Sequence, residues 1–230
     1  MDIPSYSIDF KKYPLPKRLR HHAGANLYVP YSNLKKEPEY YPPLYTSLNW
    51  VQIFKNSKPP DELDIGCGKG AFLLSRANQF GDRNILGIEL RETLPQWLNE
   101  IIEGEGIPNC AVIWHNAANG LSFLSNDSIL NTFYLFPDPW PKRKHLKRRL
   151  FSEALLTELY RIVSPEGRVY IATDVEELHN HHLEVLKSSG KFNVDENSRN
   201  DAWNLPVTNK EAFCKLHDIP IFKIILQKKL

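Results

Sequence analysis

The feature that most limits how this chain can fold is an alternation of two kinds of segment. Short apolar runs that fit buried strands take turns with longer segments of helical spacing. The runs are ELDI (62–65), NILGIEL (84–90), CAVIWH (110–115), ILNTFYLF (129–136) and RVYIATD (168–174). Helical spacing predicts helices around 70–80, 92–104, 147–163 and 175–189. Strand, helix, strand, helix predicts an α/β doubly wound sheet, mostly parallel, with helices on both faces. Two further strands are expected in the tail, FNV (192–194) and IFKIILQK (221–228), with a loop or lid over 195–213 between them. Residues 1–45 are rich in Pro, Tyr and basic residues and show little periodicity. They predict an extended, partly disordered arm, with a single domain over 46–230.

Composition narrows the class. A chain of 230 residues fits one sizeable core better than two. Its 42% apolar and 24% charged residues are ordinary for a soluble globular protein. No apolar run approaches the roughly 18 residues of a membrane span, and the first twenty residues hold no signal-peptide core. Cys67, Cys110 and Cys214 are scattered and form no C-x-x-C pair. That pattern points to a reducing, cytoplasmic setting rather than a disulfide framework or a zinc site. Net charge is only +2, which neither demands nor excludes nucleic acid. Its distribution is uneven, however. Residues 11–22 carry five Lys/Arg and no acid, and residues 142–149 carry six and no acid.

The chemistry concentrates at the carboxyl ends of the expected strands, where open α/β sheets bind ligands. Asp64-Ile65-Gly66-Cys67-Gly68-Lys69-Gly70 joins the first strand to a helix. Gly66, Gly68 and Gly70 permit a tight turn and close approach of a ligand to the backbone. The spacing is G-x-G-x-G, not the G-x-G-x-x-G of dinucleotide folds, so a cofactor without phosphate fits better. Glu89 ends the second strand, 19 residues after Gly70. A carboxylate there accepts hydrogen bonds from both ribose hydroxyls, although an exposed strand-end carboxylate is also common. Asn116 and Ala117 follow the third strand, where an amide side chain and a backbone N–H read an adenine edge; Asn is equally a turn residue.

The most informative segment follows the fourth strand: Phe136-Pro137-Asp138-Pro139-Trp140-Pro141, then Lys142 to Arg149. Prolines on both sides of Asp138 and Trp140 stiffen the loop and bar a helix. A carboxylate, an aromatic ring and a cluster of cations suit a nucleic-acid base and its phosphates. Arg143, Lys144, Lys147 and Arg148 are the expected phosphate contacts. The plainer reading is a rigid turn before a basic helix start. Cations at that end of a helix dipole are unfavourable unless an anion answers them. Thr173-Asp174 closes the fifth strand, and Thr208 to Glu211 reads either as a site element or as a helix cap with its capping-box partner. His179, His181 and His182 invite a metal, but on a helix such residues more often lie on a solvated face, so no metal is expected.

Taken together, DIGCGKG, GIE, the Asn-Ala pair, PDPWPKRKHLKRRL, TD and T-x-x-E resemble the bacterial-type tRNA (guanine-N7)-methyltransferases. The resemblance runs from about residue 60 to the end. The PDPWPK block is specific; the glycine loop alone would indicate only a class I methyltransferase. The resemblance implies a seven-stranded Rossmann-like sheet with a reversed last strand. It implies S-adenosyl-L-methionine held by Asp64, the Gly66–Gly70 loop, Glu89 and Asn116, with Asp138 beside it at the reaction centre. It implies that Lys142, Asp174 and Thr208 through Glu211 contact the guanosine of a tRNA, in the variable loop. Glu is common in the family where Asp64 stands, Asp where Asn116 stands, and a second His where Leu146 stands. The arm over 1–45 lies outside the resemblance.

Two other classes compete. A non-catalytic RNA-binding protein on the same fold would have no use for the glycine loop, Glu89 and Asp138. A small-molecule methyltransferase leaves the cations from Lys142 to Arg149 unexplained. The expected partner is therefore tRNA and not a membrane, with the protein a monomer or homodimer.

Overall fold

The structure, a computed structural model, describes residues 6–17, 19, 22–36, 38–196 and 203–229. Seven strands form one sheet: β1 (Glu62–Ile65), β2 (Ile85–Glu89), β3 (Cys110–Trp114), β4 (Ile129–Leu135), β5 (Val163–Thr173), β6 (Phe192–Asp195) and β7 (Phe222–Lys228). Their order is β3-β2-β1-β4-β5-β7-β6. The first five run parallel, while β7 is antiparallel to both β5 and β6. This is the Rossmann-like sheet with a reversed last strand. The order reverses beside β1, so the carboxyl ends of β1, β2 and β4 open a crevice there.

β1 to β4 and the second half of β5 are largely buried on both faces, which explains why they read as continuous apolar runs, whereas β6 at the edge is buried only at Phe192. Successive residues of a strand point to opposite faces, so two cores form. Leu63 and Ile65 of β1 join Leu86 and Ile88 in one, under α4 (Glu153–Ile162) and α5 (Glu176–Ser189). Ile85, Val112 and Phe133 form the other, under α2 (Ala71–Gln79) and α3 (Thr93–Gly104). A buried fork ties α2 to the sheet: Arg76 Nε and Nη2 donate to Glu62 at 2.6 and 2.7 Å, and Asn131 donates to the same carboxylate at 2.8 Å.

Two expectations need correction. The predicted helix over 147–163 is two elements. A 3₁₀ helix spans Arg143–Arg148, and α4 begins only at Glu153, where the Ser152 hydroxyl accepts from the Leu155 N–H. The basic run therefore does not load the start of α4, and the objection from the helix dipole lapses. The segment over 195–213 is not all loop: a helix, α6, runs over Asn209–Leu216. Residues 197–202 of that segment lie outside the described residues. A short α1 (Trp50–Ile53) precedes β1. No helix among the described residues is long and apolar enough to cross a membrane.

The described part of the arm is packed against the sheet. Ile8 is buried beside α3, Phe10 stacks on Trp97, and Lys12 bonds Glu105 at 2.8 Å. Farther along, two 3₁₀ turns, Ala25–Tyr28 and Tyr31–Asn33, cross the carboxyl edge of the sheet.

Candidate active site

The glycine loop leaves β1 through three residues in the left-handed region, Gly66 (φ 83°), Gly68 (φ 60°) and Gly70 (φ 77°). Gly66 faces open space, with no atom within 4 Å of where a Cβ would stand, whereas a Cβ on Gly70 would strike Leu98 at 2.4 Å. One glycine thus keeps room for a ligand and the other lets α2 and α3 close together. The Gly68 N–H donates to Glu89 Oε2 at 2.9 Å, which ties the loop to the end of β2.

A cavity opens above this loop. Gly66, Glu89, Asn116, Ala117 and Asp138 all line it, between apolar walls that include Ile88 and Leu135. The residues fit an adenosyl ligand without phosphate. The space over Gly66 admits close approach, Glu89 supplies carboxylate acceptors for ribose hydroxyls, and the apolar walls suit a purine.

All four acceptor positions of Glu89 are filled, so ribose hydroxyls would bond it only in exchange for an Arg91 contact. Arg91 donates to it from its backbone N–H and its Nε, both at 2.9 Å to Oε1, and from Nη2 at 3.2 Å to Oε2. Arg91 also lines the cavity. Sequence reasoning passed over it; its position two residues after a ribose-type carboxylate was the available signal.

Asp64 stands inside β1, beneath the loop, and does not line the cavity. Burial, helped by the Glu89 carboxylate, pushes its pKa up to about 8. Asn116 does line the cavity, but its side chain is spent elsewhere. Its Oδ1 accepts from the Ala118 N–H, and its Nδ2 donates to the carbonyls of Leu27 and Val29 at 2.9 and 3.0 Å.

Asp138 sits on a strained loop. Phe136 (φ 51°) and Trp140 (φ 42°) both hold left-handed backbone without being glycine. Each such residue costs on the order of 1–3 kcal/mol, and strain of this kind gathers at functional sites. The prolines foretold stiffness; the sign of these φ angles had no sequence signal. Tyr28 donates to Asp138 Oδ2 at 2.7 Å, and His22 Nδ1 lies 3.0 Å from Oδ1. The Tyr28 ring meets Trp140 edge-on, with centroids 4.7 Å apart. Burial first, then Asp138, raises the Tyr28 pKa well above the ordinary phenol value, so its hydroxyl stays a donor.

The basic residues are spread over an outer rim. Arg148 lies over the Trp140 ring at 4.8 Å and lines the cavity. Lys142, Arg143, Lys144 and Lys147 are exposed on or beside the 3₁₀ helix and do not line it. A second groove, of about 620 Å³, adjoins the cavity and is lined by Lys147 and Arg149. Tyr28, Ala117 and Leu150 belong to both spaces and form the wall between them.

The tail residues come together apart from the cavity. Lys210 Nζ bonds Asp174 at 2.7 Å, and Lys223 Nζ bonds Glu211 at 2.9 Å. The Thr208 hydroxyl accepts from the Glu211 N–H at 2.9 Å, which is the helix-cap alternative. The histidines of α5 correct another expectation: they are not on a solvated face. His182 is fully buried against Phe151, His179 stacks on Phe222, and His181 Nε2 lies 3.2 Å from the Phe151 carbonyl oxygen.

Comparison with known proteins agrees with this geometry. A family model described as "Putative methyltransferase" matches residues 58–224. The chain is similar to a tRNA (guanine-N(7)-)-methyltransferase of Oceanobacillus iheyensis, with 32% identity over 72% of this chain and 79% of that one. It is similar to the enzyme of the same name from Prochlorococcus marinus subsp. pastoris, with 33% identity over 77% and 89%. Among solved structures, a SAM-dependent methyltransferase from Aquifex aeolicus shares the fold at 16% identity and a TM-score of 0.51, over 74% of this chain and 82% of that one. A precorrin-6y C5,15-methyltransferase from Geobacter metallireducens does so at 14% identity and a TM-score of 0.51, over 73% and 79%.

Proposed function

Because the chain belongs to the family of tRNA (guanine-N(7)-)-methyltransferases, we propose that it transfers the methyl group of S-adenosyl-L-methionine to N7 of a guanine in tRNA, in the variable loop. The observation that carries the reading is the meeting in one cavity of an open glycine cradle, a ribose-type carboxylate and a strained loop bearing Asp138 and Trp140. The cations of the outer rim add a reason for RNA that a small metabolite would not supply. A cytoplasmic location follows from the substrate.

S-adenosyl-L-methionine supplies, when bound, an electrophilic methyl on a sulfonium. Guanine N7 carries a free lone pair and needs no base to expose it. The protein's task is therefore alignment, and holding reactants in line replaces a large part of the barrier. Gly66 and Glu89 would seat the adenosyl moiety. Trp140 offers an aromatic face, and Asp138 would accept from the guanine N1–H and amino group. Methylation leaves the base positively charged, and the same carboxylate would stabilise that charge as it develops. Arg143, Lys144, Lys147 and Arg148 would hold phosphates and fix the register of the tRNA without reading bases, and Lys142, exposed outside the cavity, would join them rather than touch the guanosine.

The test is transfer of labelled methyl from S-adenosyl-L-methionine to unmodified tRNA transcripts, followed by nucleoside analysis. The expected product is N7-methylguanosine, lost in Asp138→Ala while cofactor binding persists. Cofactor binding without transfer to any tRNA would turn the reading toward a small-molecule acceptor.

A further inference from the structure

We propose that the N-terminal arm fills the base site of the protein, Tyr28 and His22 standing where a guanine's N1–H and amino group bond, so that the incoming tRNA must displace residues 22–28. This rests on the functional reading above and adds regulation to that same site.

A guanine presents two neighbouring donors on its Watson–Crick edge, and a carboxylate accepts one on each oxygen. Asp138 already has that pattern. Tyr28 Oη donates to one oxygen at 2.7 Å, and His22 Nδ1 sits 3.0 Å from the other. The imitation extends to the aromatic contact. The Tyr28 ring rests edge-on against Trp140, with the His22 ring 5.5 Å from the same indole. A base stacked on Trp140 with its donors on Asp138 would need the space that Tyr28 fills edge-on, and both cannot occupy the place at once. Adenine or uracil would offer the carboxylate one such donor, not two, so the internal occupant also reports which base the site selects.

The arm is held there from both sides. Asn116 Nδ2 grips the carbonyls of Leu27 and Val29, the residues flanking Tyr28. Tyr41 adds a bond from its hydroxyl to the Val29 carbonyl at 2.7 Å. Farther back, Ile8 and Phe10 are seated on α3. Displacing residues 22–28 therefore means giving up the bonds at Leu27 and Val29, while Ile8 and Phe10 keep the arm on the protein. Tyr28 also walls the cofactor cavity from the groove that carries Lys147 and Arg149.

Two measurements on the full chain decide the matter. The first is steady-state methylation of a tRNA transcript by Tyr28→Phe and Tyr28→Ala. Removing a hydrogen bond to a charged group frees Asp138, and the KM for tRNA is expected to fall by up to about tenfold, with kcat retained. A fall in kcat at unchanged KM would overturn the proposal, since Tyr28 would then be holding Asp138 in its reacting position. The second is amide hydrogen exchange over residues 22–33, with tRNA and S-adenosyl-L-homocysteine added, which needs binding but no turnover. Faster exchange in the complex is expected; equal or slower exchange would mean that the arm stays seated, and would refute displacement. Faster exchange without methyl transfer to tRNA by the unaltered protein would sink the functional reading while leaving the displacement standing.

Discussion

Replacing Gly66 and Gly70 separately by alanine distinguishes a ligand cradle from a packing contact within one loop. Both glycines hold positive φ, 83° and 77°, so either substitution costs about 1–2 kcal/mol of backbone strain. Beyond that they differ. A Cβ at position 70 lands 2.4 Å from Leu98 Cδ2, and Leu98 is itself fully buried, whereas a Cβ at position 66 meets nothing within 4 Å. Overpacking adds about 1–3 kcal/mol at position 70 only. For a chain of this length each kcal/mol moves Tm by about 2–4 °C. Gly66→Ala is therefore expected to lower Tm by about 2–8 °C, and Gly70→Ala by about 4–20 °C. The ligand response runs the other way. S-adenosyl-L-homocysteine at a hundredfold excess over its Kd adds about 2.7 kcal/mol, a rise of about 5–11 °C. The methyl group added at position 66 would stand in the ligand's space, so that rise should largely vanish in Gly66→Ala and survive in Gly70→Ala. Differential scanning fluorimetry with and without the ligand reads both effects. A full ligand-induced rise in Gly66→Ala would refute the assignment of the cradle.

Two further predictions concern buried titratable groups. Asp64 is mostly protonated at pH 7, because burial and Glu89 lift its pKa to about 8. A cationic cofactor favours the ionised form, so affinity should rise with pH toward that value. Calorimetry at pH 7 in buffers of different ionisation enthalpy should show up to about one proton more released on cofactor binding by the native protein than by Asp64→Asn; equal release would dismiss the linkage. His182 is the opposite case. Burial first, then His181, His179 and Arg149, lowers its pKa to about 3, and neither ring nitrogen has a hydrogen-bond partner among the described residues. The unfolded chain takes up the proton near pH 6.5 and the folded one does not, so this site costs stability as pH falls from 6.5 toward 3. His182→Leu should raise stability by about 1–3 kcal/mol at neutral pH through relief of the unpaired nitrogens. It should add about 2 kcal/mol more by pH 5. Urea titrations at both pH values that show no widening gap would refute the account.

The sheet was legible because its central strands are apolar on both sides, a property of the residues themselves. Where the prediction slipped, local pattern was overruled. The run from Lys147 to Ile162 has helical spacing throughout, yet the cap at Ser152 divides it into the end of a 3₁₀ helix and α4. The α5 histidines read as solvated because the period does not reveal that Phe151 and Phe222 cover that face. That Gly66, Glu89 and Asp138 line one cavity was legible because strand ends in such a sheet converge on one crevice. Tyr28 was not, since its place depends on a partner 110 residues away and on a segment without periodicity.

Position 116 shows how such a long-range partner explains a departure from the family pattern. An aspartate there, common in the family, has acceptors only. In this chain it would set a carboxylate within hydrogen-bond distance of two backbone carbonyls, those of Leu27 and Val29, and take the amide donor from both, leaving Val29 only the Tyr41 hydroxyl. Asparagine keeps the acceptor that caps the following turn through the Ala118 N–H and donates to both carbonyls. An unpaired buried acceptor costs on the order of 1–3 kcal/mol, and two carbonyls facing a charge cost more. The amide is therefore matched to the arm rather than to an adenine edge. The same side chain that shapes the cofactor cavity holds Tyr28 on Asp138, so the affinity of the arm for the site is set from inside that cavity.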